Sequence, residues 1–301
     1  MTLSSKFTEN KALNRPATTA VTSAIHGKVL EIGSGFRALA FREKDFSGAM
    51  DPLVMVDHYR MTESTFGAHP HAGLSAVSVL FEDSEGEFHN RDSLGNDFNL
   101  MPGDLYWLKA GSGVVHDEAP RPGAKIHGLQ VFVNLPAAFK KSEPKSLHVK
   151  AQNIPIYEEN GIRVRIVLGM SNGIAGPESP ALPMTILDGR IDSGARFSHQ
   201  LQGRENAWIY AIKGELQLTI EGRDLSLSAG QSIAVSQAIG ASETRIQLSN
   251  GSTEPAHFAL FSAEPIKEAF VQKGPFVMSS EEDIAQVEAD FAAGKLGHLA
   301  S

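Results

Sequence analysis

Hydrophobic residues in this chain come in short runs separated by turn residues. The runs fall at 28–32, 53–56, 75–81, 104–108, 128–133 and 163–168, and continue at 208–212, 215–220, 232–235, 244–248 and 257–262. Many alternate apolar with polar positions, most plainly Leu216-Gln217-Leu218-Thr219-Ile220. A period of two predicts half-buried β-strands facing a core. Pro102-Gly103-Asp104, Lys213-Gly214-Glu215, Glu221-Gly222-Arg223 and Ser249-Asn250-Gly251 supply the turns between them. Many short strands punctuated in this way predict an all-β sandwich or barrel.

A loose repeat runs through the pattern. Residues 100–108 and 225–235 both place a glycine, then a polar residue, then a new apolar strand. At about 150 residues per domain, a 301-residue chain predicts two domains, which suits two related barrels in tandem. The expected division is a flexible arm at 1–24, a first barrel at 25–140, a linker at 141–155, a second barrel at 156–265 and a C-terminal extension at 266–301. One helix is predicted in that extension. Ser279 and Glu282 have capping-box spacing, Ile284, Val287 and Phe291 share a face, and Gly294 follows as a stop.

Composition narrows the chemistry. The 27 Lys and Arg against 35 Asp and Glu give a net charge of −8, which argues against direct binding of a nucleic-acid backbone. No run approaches the roughly 18 apolar residues of a membrane helix, and no apolar segment follows the basic residues near the start. The expectation is therefore a cytoplasmic protein without a membrane span, a monomer or weak dimer. The chain has no cysteine, which removes disulfides, thiolate zinc sites, iron–sulfur clusters and thiol nucleophiles. A metal would have to be held by His, Asp or Glu.

Such a set is present. His69-Pro70-His71 is followed, 45 residues after His71, by His116-Asp117-Glu118. In a strand, residues i and i+2 point to one face, so each pair aims two ligand-type side chains the same way. Two such strands side by side would gather three imidazoles and a carboxylate, a set suited to a first-row metal. Fe(II) is the first expectation, with Mn, Ni, Cu or Co as alternatives and Zn also compatible. The plain alternative is a pair of surface histidines near a loop, with Glu118 paired to Lys109.

The same residues carry a family resemblance. His69-Pro70-His71-x-Gly73, Asp92-Ser93-Leu94-Gly95, Pro102-Gly103-Asp104, Ala110-Gly111-Ser112-Gly113-Val114-Val115-His116-x-Glu118 and Gln130 to Pro136 occur in an order that resembles the pirin family. Gly274-Pro275-Phe276-Val277-Met278 resembles its closing signature. The resemblance spans about residues 25 to 297. It implies two stacked cupin barrels, with iron in the first only and His69, His71, His116 and Glu118 as its ligands. Two departures bear on substrate identity: Ala72 stands where the family often has Arg, and Asn90 where it often has His. The second barrel offers His199 and His257 without a paired ligand, which implies a metal-free barrel.

The resemblance also implies a reaction, the opening of a flavonol such as quercetin by O2 with release of CO. Glu118 would act twice, as ligand and, once detached, as the general base that takes the substrate's hydroxyl proton. Met55, Phe66, Phe132 and Val133 flank the motifs and are expected to line an apolar pocket. Asp57 and Gln130 are expected to orient a ligand histidine. A second class of reading is a pirin-like regulator that binds a transcription factor or a metabolic enzyme, with iron as a redox switch. The expected partner is accordingly a small flavonol-like aromatic or another protein.

Overall fold

The computed structural model describes residues 8–10, 18–238, 240 and 243–299. Two β-barrels lie side by side, each built from a long sheet facing a four-stranded one. In the first, the strand order of the long sheet is Lys145–Val149, Leu105–Lys109, Leu74–Leu80, Ile126–Asn134, Leu53–Met61, Phe36–Arg42, Lys28–Ile32. The facing sheet runs Asp97–Leu100, Phe88–Asp92, Val114–Pro120, His69–His71. The second barrel repeats the plan around Met184–Ile191, Ala256–Ala263 and Asn206–Lys213, faced by Arg196–Gln202, Glu243–Ser249, Glu215–Ile220 and Arg223–Ser228.

The repeat read in the sequence has a structural counterpart. Leu105–Lys109 pairs with Leu74–Leu80, and Gln231–Ser236 pairs with Asn206–Lys213. In both barrels the glycine turn thus delivers a strand onto the one that follows the facing sheet's edge.

Alternation along each strand sorts side chains between two compartments. From the strand Ile126–Asn134, Val131 and Val133 enter a core shared by both barrels, with Trp107, Val77, Trp208 and Phe261. The intervening Phe132 and Gln130 face the interior of the first barrel. The interior of the second barrel is packed with Phe197, Leu201, Ile209, Leu218, Leu248, Phe258 and their neighbours.

Two segments differ from the sequence expectation, and a third gains a position it left open. Of the proposed arm, Ala20–Val21 pairs with Gln231–Ser236, at the edge of the second barrel; residues 1–7 and 11–17 lie outside the described residues. The proposed linker contains Lys145–Val149, which pairs with Leu105–Lys109 and extends the first barrel. The C-terminal extension returns to the first barrel: Val277 donates its N–H to Ala72 O at 3.0 Å. Its helix, Glu281–Ala292, starts one residue later than predicted, with Ser280 as N-cap accepting from Asp283 N. Ile284 and Val287 are buried as expected, in a cluster with Phe276, Met278 and Leu296, but Phe291 lies outside that cluster and is exposed.

The return of the C-terminal segment depends on Gly73, which has φ +72°, and a Cβ there would sit 2.0 Å from Val277 O. Gly73→Ala is expected to cost more than about 1 kcal/mol from the backbone conformation alone, with the clash added. Urea unfolding of the two proteins measures it.

Candidate metal centre and its cavity

The strand His69–His71 lies antiparallel to Val114–Pro120, with His116 opposite His69 and Val114 opposite His71. That register brings the three imidazoles to one spot. His116 Nε2 stands 2.9 Å from His71 Nε2 and 3.0 Å from His69 Nε2. Among the described residues these three form the one cluster of this kind.

The other ring nitrogens fix what faces inward. His69 Nδ1 donates to Gly67 O at 2.8 Å, and His71 Nδ1 to Pro275 O at 3.3 Å. A carbonyl oxygen only accepts, so each Nδ1 carries the proton and each Nε2 presents a lone pair. Burial disfavours the imidazolium in all three rings; it pushes His71 down to about 3 and also lowers His69 and His116. Three neutral rings cannot satisfy each other here, since His116 can offer at most one N–H to two lone pairs. His116 Nδ1 is itself buried without a hydrogen-bond partner among the described residues. This donor set fits a cation, and of the borderline kind that imidazole prefers.

Glu118 lines the same cavity but stands outside the nitrogen cluster. The Ser78 hydroxyl lies 2.7 and 3.0 Å from its two carboxylate oxygens and 3.0 Å from Gln130 Oε1. Desolvation raises the Glu118 carboxyl to about 7, against the lowering effect of Ser78. Lys109 is not its partner; Lys109 lies on the strand Leu105–Lys109, across the barrel from Val114–Pro120.

The cavity has a volume of about 400 Å³. Phe36, Met61, Phe66, Phe88 and Phe132 give it apolar walls, with Met55 and Tyr59 between them. Of the residues expected to line a pocket, Met55, Phe66 and Phe132 are on this cavity's wall. Val133 is not: one residue on from Phe132, it points into the core between the barrels. Asp57 does not orient a histidine either; it pairs with Arg42, Nη1 to Oδ1 at 2.5 Å. Gln130 reaches Ser78 and, through it, Glu118. Ala72 faces Phe276, Ile284 and Val287, away from the cavity, so an apolar residue there serves the packing of the C-terminal segment.

Sequence reasoning missed Ser78, Arg42 and the wall formed by Gly274 and Pro275. Ser78 had a signal, being one of two serines in the otherwise apolar run 74–80. Pro275 had none, because it meets His71 across 204 residues. In the second barrel, His199 Nδ1 is 3.0 Å from Ser171 Oγ, and His257 Nε2 is 2.5 Å from Asp188.

Two stacked barrels of this topology, with a histidine cluster inside the first, define a bicupin. Residues 37–133 match the Pirin family and residues 186–297 match the Pirin C-terminal cupin domain. The chain is 32% identical to Pirin of Rattus norvegicus and 30% identical to Pirin of Homo sapiens, each over 82% of this chain and 83% of the relative. It belongs to the pirin family. Among solved structures, quercetin 2,3-dioxygenase from Acinetobacter baumannii superposes with a TM-score of 0.79 at 23% identity, covering 93% of this chain and 99% of that one. GK1651 from Geobacillus kaustophilus gives 0.73 at 26% identity, covering 83% and 98%. Escherichia coli YhhW in complex with nickel(II) gives 0.57 at 16%, covering 86% and 100%. Among the described residues no helix is long and apolar enough to cross a membrane.

Proposed function

We propose that this protein is a metal-dependent dioxygenase that opens a flavonol, quercetin-like, with O2. The observation that carries the reading is the convergence of three histidine Nε2 atoms at one end of an apolar cavity large enough for a polycyclic aromatic. His69, His71 and His116 would hold the metal, with Glu118 as the fourth ligand; Fe(II) is the first choice. When bound, the metal would act as a Lewis acid toward the substrate's enolic hydroxyl and supply the redox chemistry with O2.

The chain's own residues do the rest. Glu118 takes the proton of the substrate hydroxyl, and the Ser78 hydroxyl holds its carboxylate in place until it does. Phe36, Phe66 and Phe132 hold the flat rings and exclude bulk water. In the overall reaction both atoms of O2 stay in the ring-opened ester, and the carbon that bore the hydroxyl leaves as CO. Oxygen uptake by metal-replete protein over a panel of flavonols and catechols tests this. Uptake with flavonols alone, matched by CO, is the expected result; no uptake with any flavonol ends the reading.

A second reading has one observation in its favour. The Pro275 carbonyl touches His71, so the state of the metal end is coupled to the C-terminal segment and its helix. In a protein-binding regulator that coupling would carry the iron redox state to the surface. Capture of a specific partner by reduced but not oxidised protein, without O2 uptake, would support it.

A further inference from the structure

The metal end of the cavity is one of two polar places in it. The other is the Arg42–Asp57 pair, on the long sheet of the first barrel. Asp57 is almost fully buried, and Arg42 is partly exposed. A partly buried ion pair contributes little to stability, because desolvation of the buried charge and solvent screening of the other offset their attraction. Its presence among Phe36, Met55, Met61 and Phe132 therefore calls for a role other than holding the fold.

The ladder register gives its position. Tyr106, Ser78, Gln130, Asp57 and Ala40 are neighbours in one row across five strands. Asp57 is two strands from Ser78, whose hydroxyl holds Glu118. Two strand spacings are about 10 Å, which a fused aromatic bicycle with one further ring would bridge. Hydrogen bonding gives the chemistry. Arg42 Nη1 donates to Phe41 O at 2.9 Å and to Asp57 Oδ1, and Nη2 lies 3.4 Å from Asp57 Oδ2. Three of five guanidinium N–H groups are thus engaged, and two remain for a ligand. Each Asp57 oxygen keeps a second lone pair. Donor and acceptor stand side by side, the pattern that vicinal phenolic hydroxyls match: one hydroxyl donates to Asp57 and its neighbour accepts from Arg42.

We propose that Arg42 and Asp57 are specificity-determining residues that bind the hydroxyls on the substrate ring remote from the histidines, so that the preferred substrate is a flavonol with a catechol at that end. This rests on the flavonol reading above. The experiment compares a flavonol bearing vicinal hydroxyls on its remote ring with the same flavonol lacking them. Equilibrium binding to metal-loaded protein and steady-state O2 uptake are both measured. Wild-type protein is expected to bind the dihydroxylated compound about 10- to 100-fold more tightly, the range for hydrogen bonds to charged groups, with the difference in KM rather than kcat.

Arg42→Met with Asp57→Leu removes both charges together and leaves neither buried alone, so the fold is expected to survive. The double variant should bind the two compounds equally. Asp57→Asn, which keeps the shape of the acid, should lose most of the discrimination and serves if the double variant does not fold. Equal binding of the two compounds by wild-type protein, or discrimination that persists in a folded variant, overturns the proposal. Discrimination in binding without O2 uptake by either compound keeps the anchor and removes the dioxygenase reading instead.

Discussion

His116→Ala is expected to weaken binding of a divalent first-row metal by more than about 100-fold, beyond the 10- to 100-fold typical of losing a residue that merely supports a ligand. The reason is its central place. His116 Nε2 is the atom that both His69 and His71 approach, at 3.0 and 2.9 Å. Without it two imidazoles remain, on one short strand, with Glu118 turned to Ser78. The effect also appears as stability. At a metal concentration of 1,000 times the wild-type Kd, binding adds about 4 kcal/mol, and a 100-fold weaker site gains only about 1.4 kcal/mol at that concentration. Thermal or urea unfolding with and without added metal reads this difference. His199→Ala is the control: His199 is bound to Ser171 in the second barrel, so the metal increment should be unchanged.

Asp188→Asn is expected to destabilise the protein by about 3–5 kcal/mol, the cost of breaking a buried ion pair from one side. Arg165 is almost wholly buried, with Nη1 2.8 Å from Asp188 Oδ2. Its Nη2 donates to Gly103 O, in the Pro102-Gly103-Asp104 turn of the first barrel. The variant would leave this guanidinium without its buried counter-charge at the junction of the two barrels. A double replacement of Arg165 and Asp188 by apolar residues of similar size should be far less costly.

Acid provides an independent check on the same pair. Burial alone would raise the Asp188 carboxyl, but His257 and Arg165 outweigh it and hold it at about 2, below its ordinary 3.8. A carboxyl with a depressed folded-state pKa contributes stability that is present above the unfolded value and lost as pH falls through the folded one. Wild-type stability should therefore decline between about pH 4 and pH 2 by a component that Asp188→Asn lacks.

Much of this architecture was legible in the sequence because it is local. Period two in residues 216–220 and the Pro102-Gly103-Asp104 turn follow from the pleat and from backbone sterics. The two i, i+2 spacings put His69 with His71 and His116 with Glu118 on one face for the same reason, and strand pairing brought the three histidines, without Glu118, to one spot. What escaped is non-local or depends on side choice. Val133 and Phe132 are both large and apolar, and only the register decides which one faces the cavity. Lys145–Val149 reads as a polar linker because, as an edge strand, it is mostly half-exposed. Asp57 looked like a partner for histidine because nothing in the sequence says that Arg42 stands beside it on the next strand.

His69, His71 and His116 are expected to hold a transition metal in the first barrel. Crystals of protein loaded with one first-row metal, measured on both sides of that metal's absorption edge, test it most directly. The expected result is a single strong anomalous peak among the three Nε2 atoms and none in the second barrel. A peak near His199 or His257 instead, or stoichiometric metal in solution with no peak at the three histidines, would contradict it.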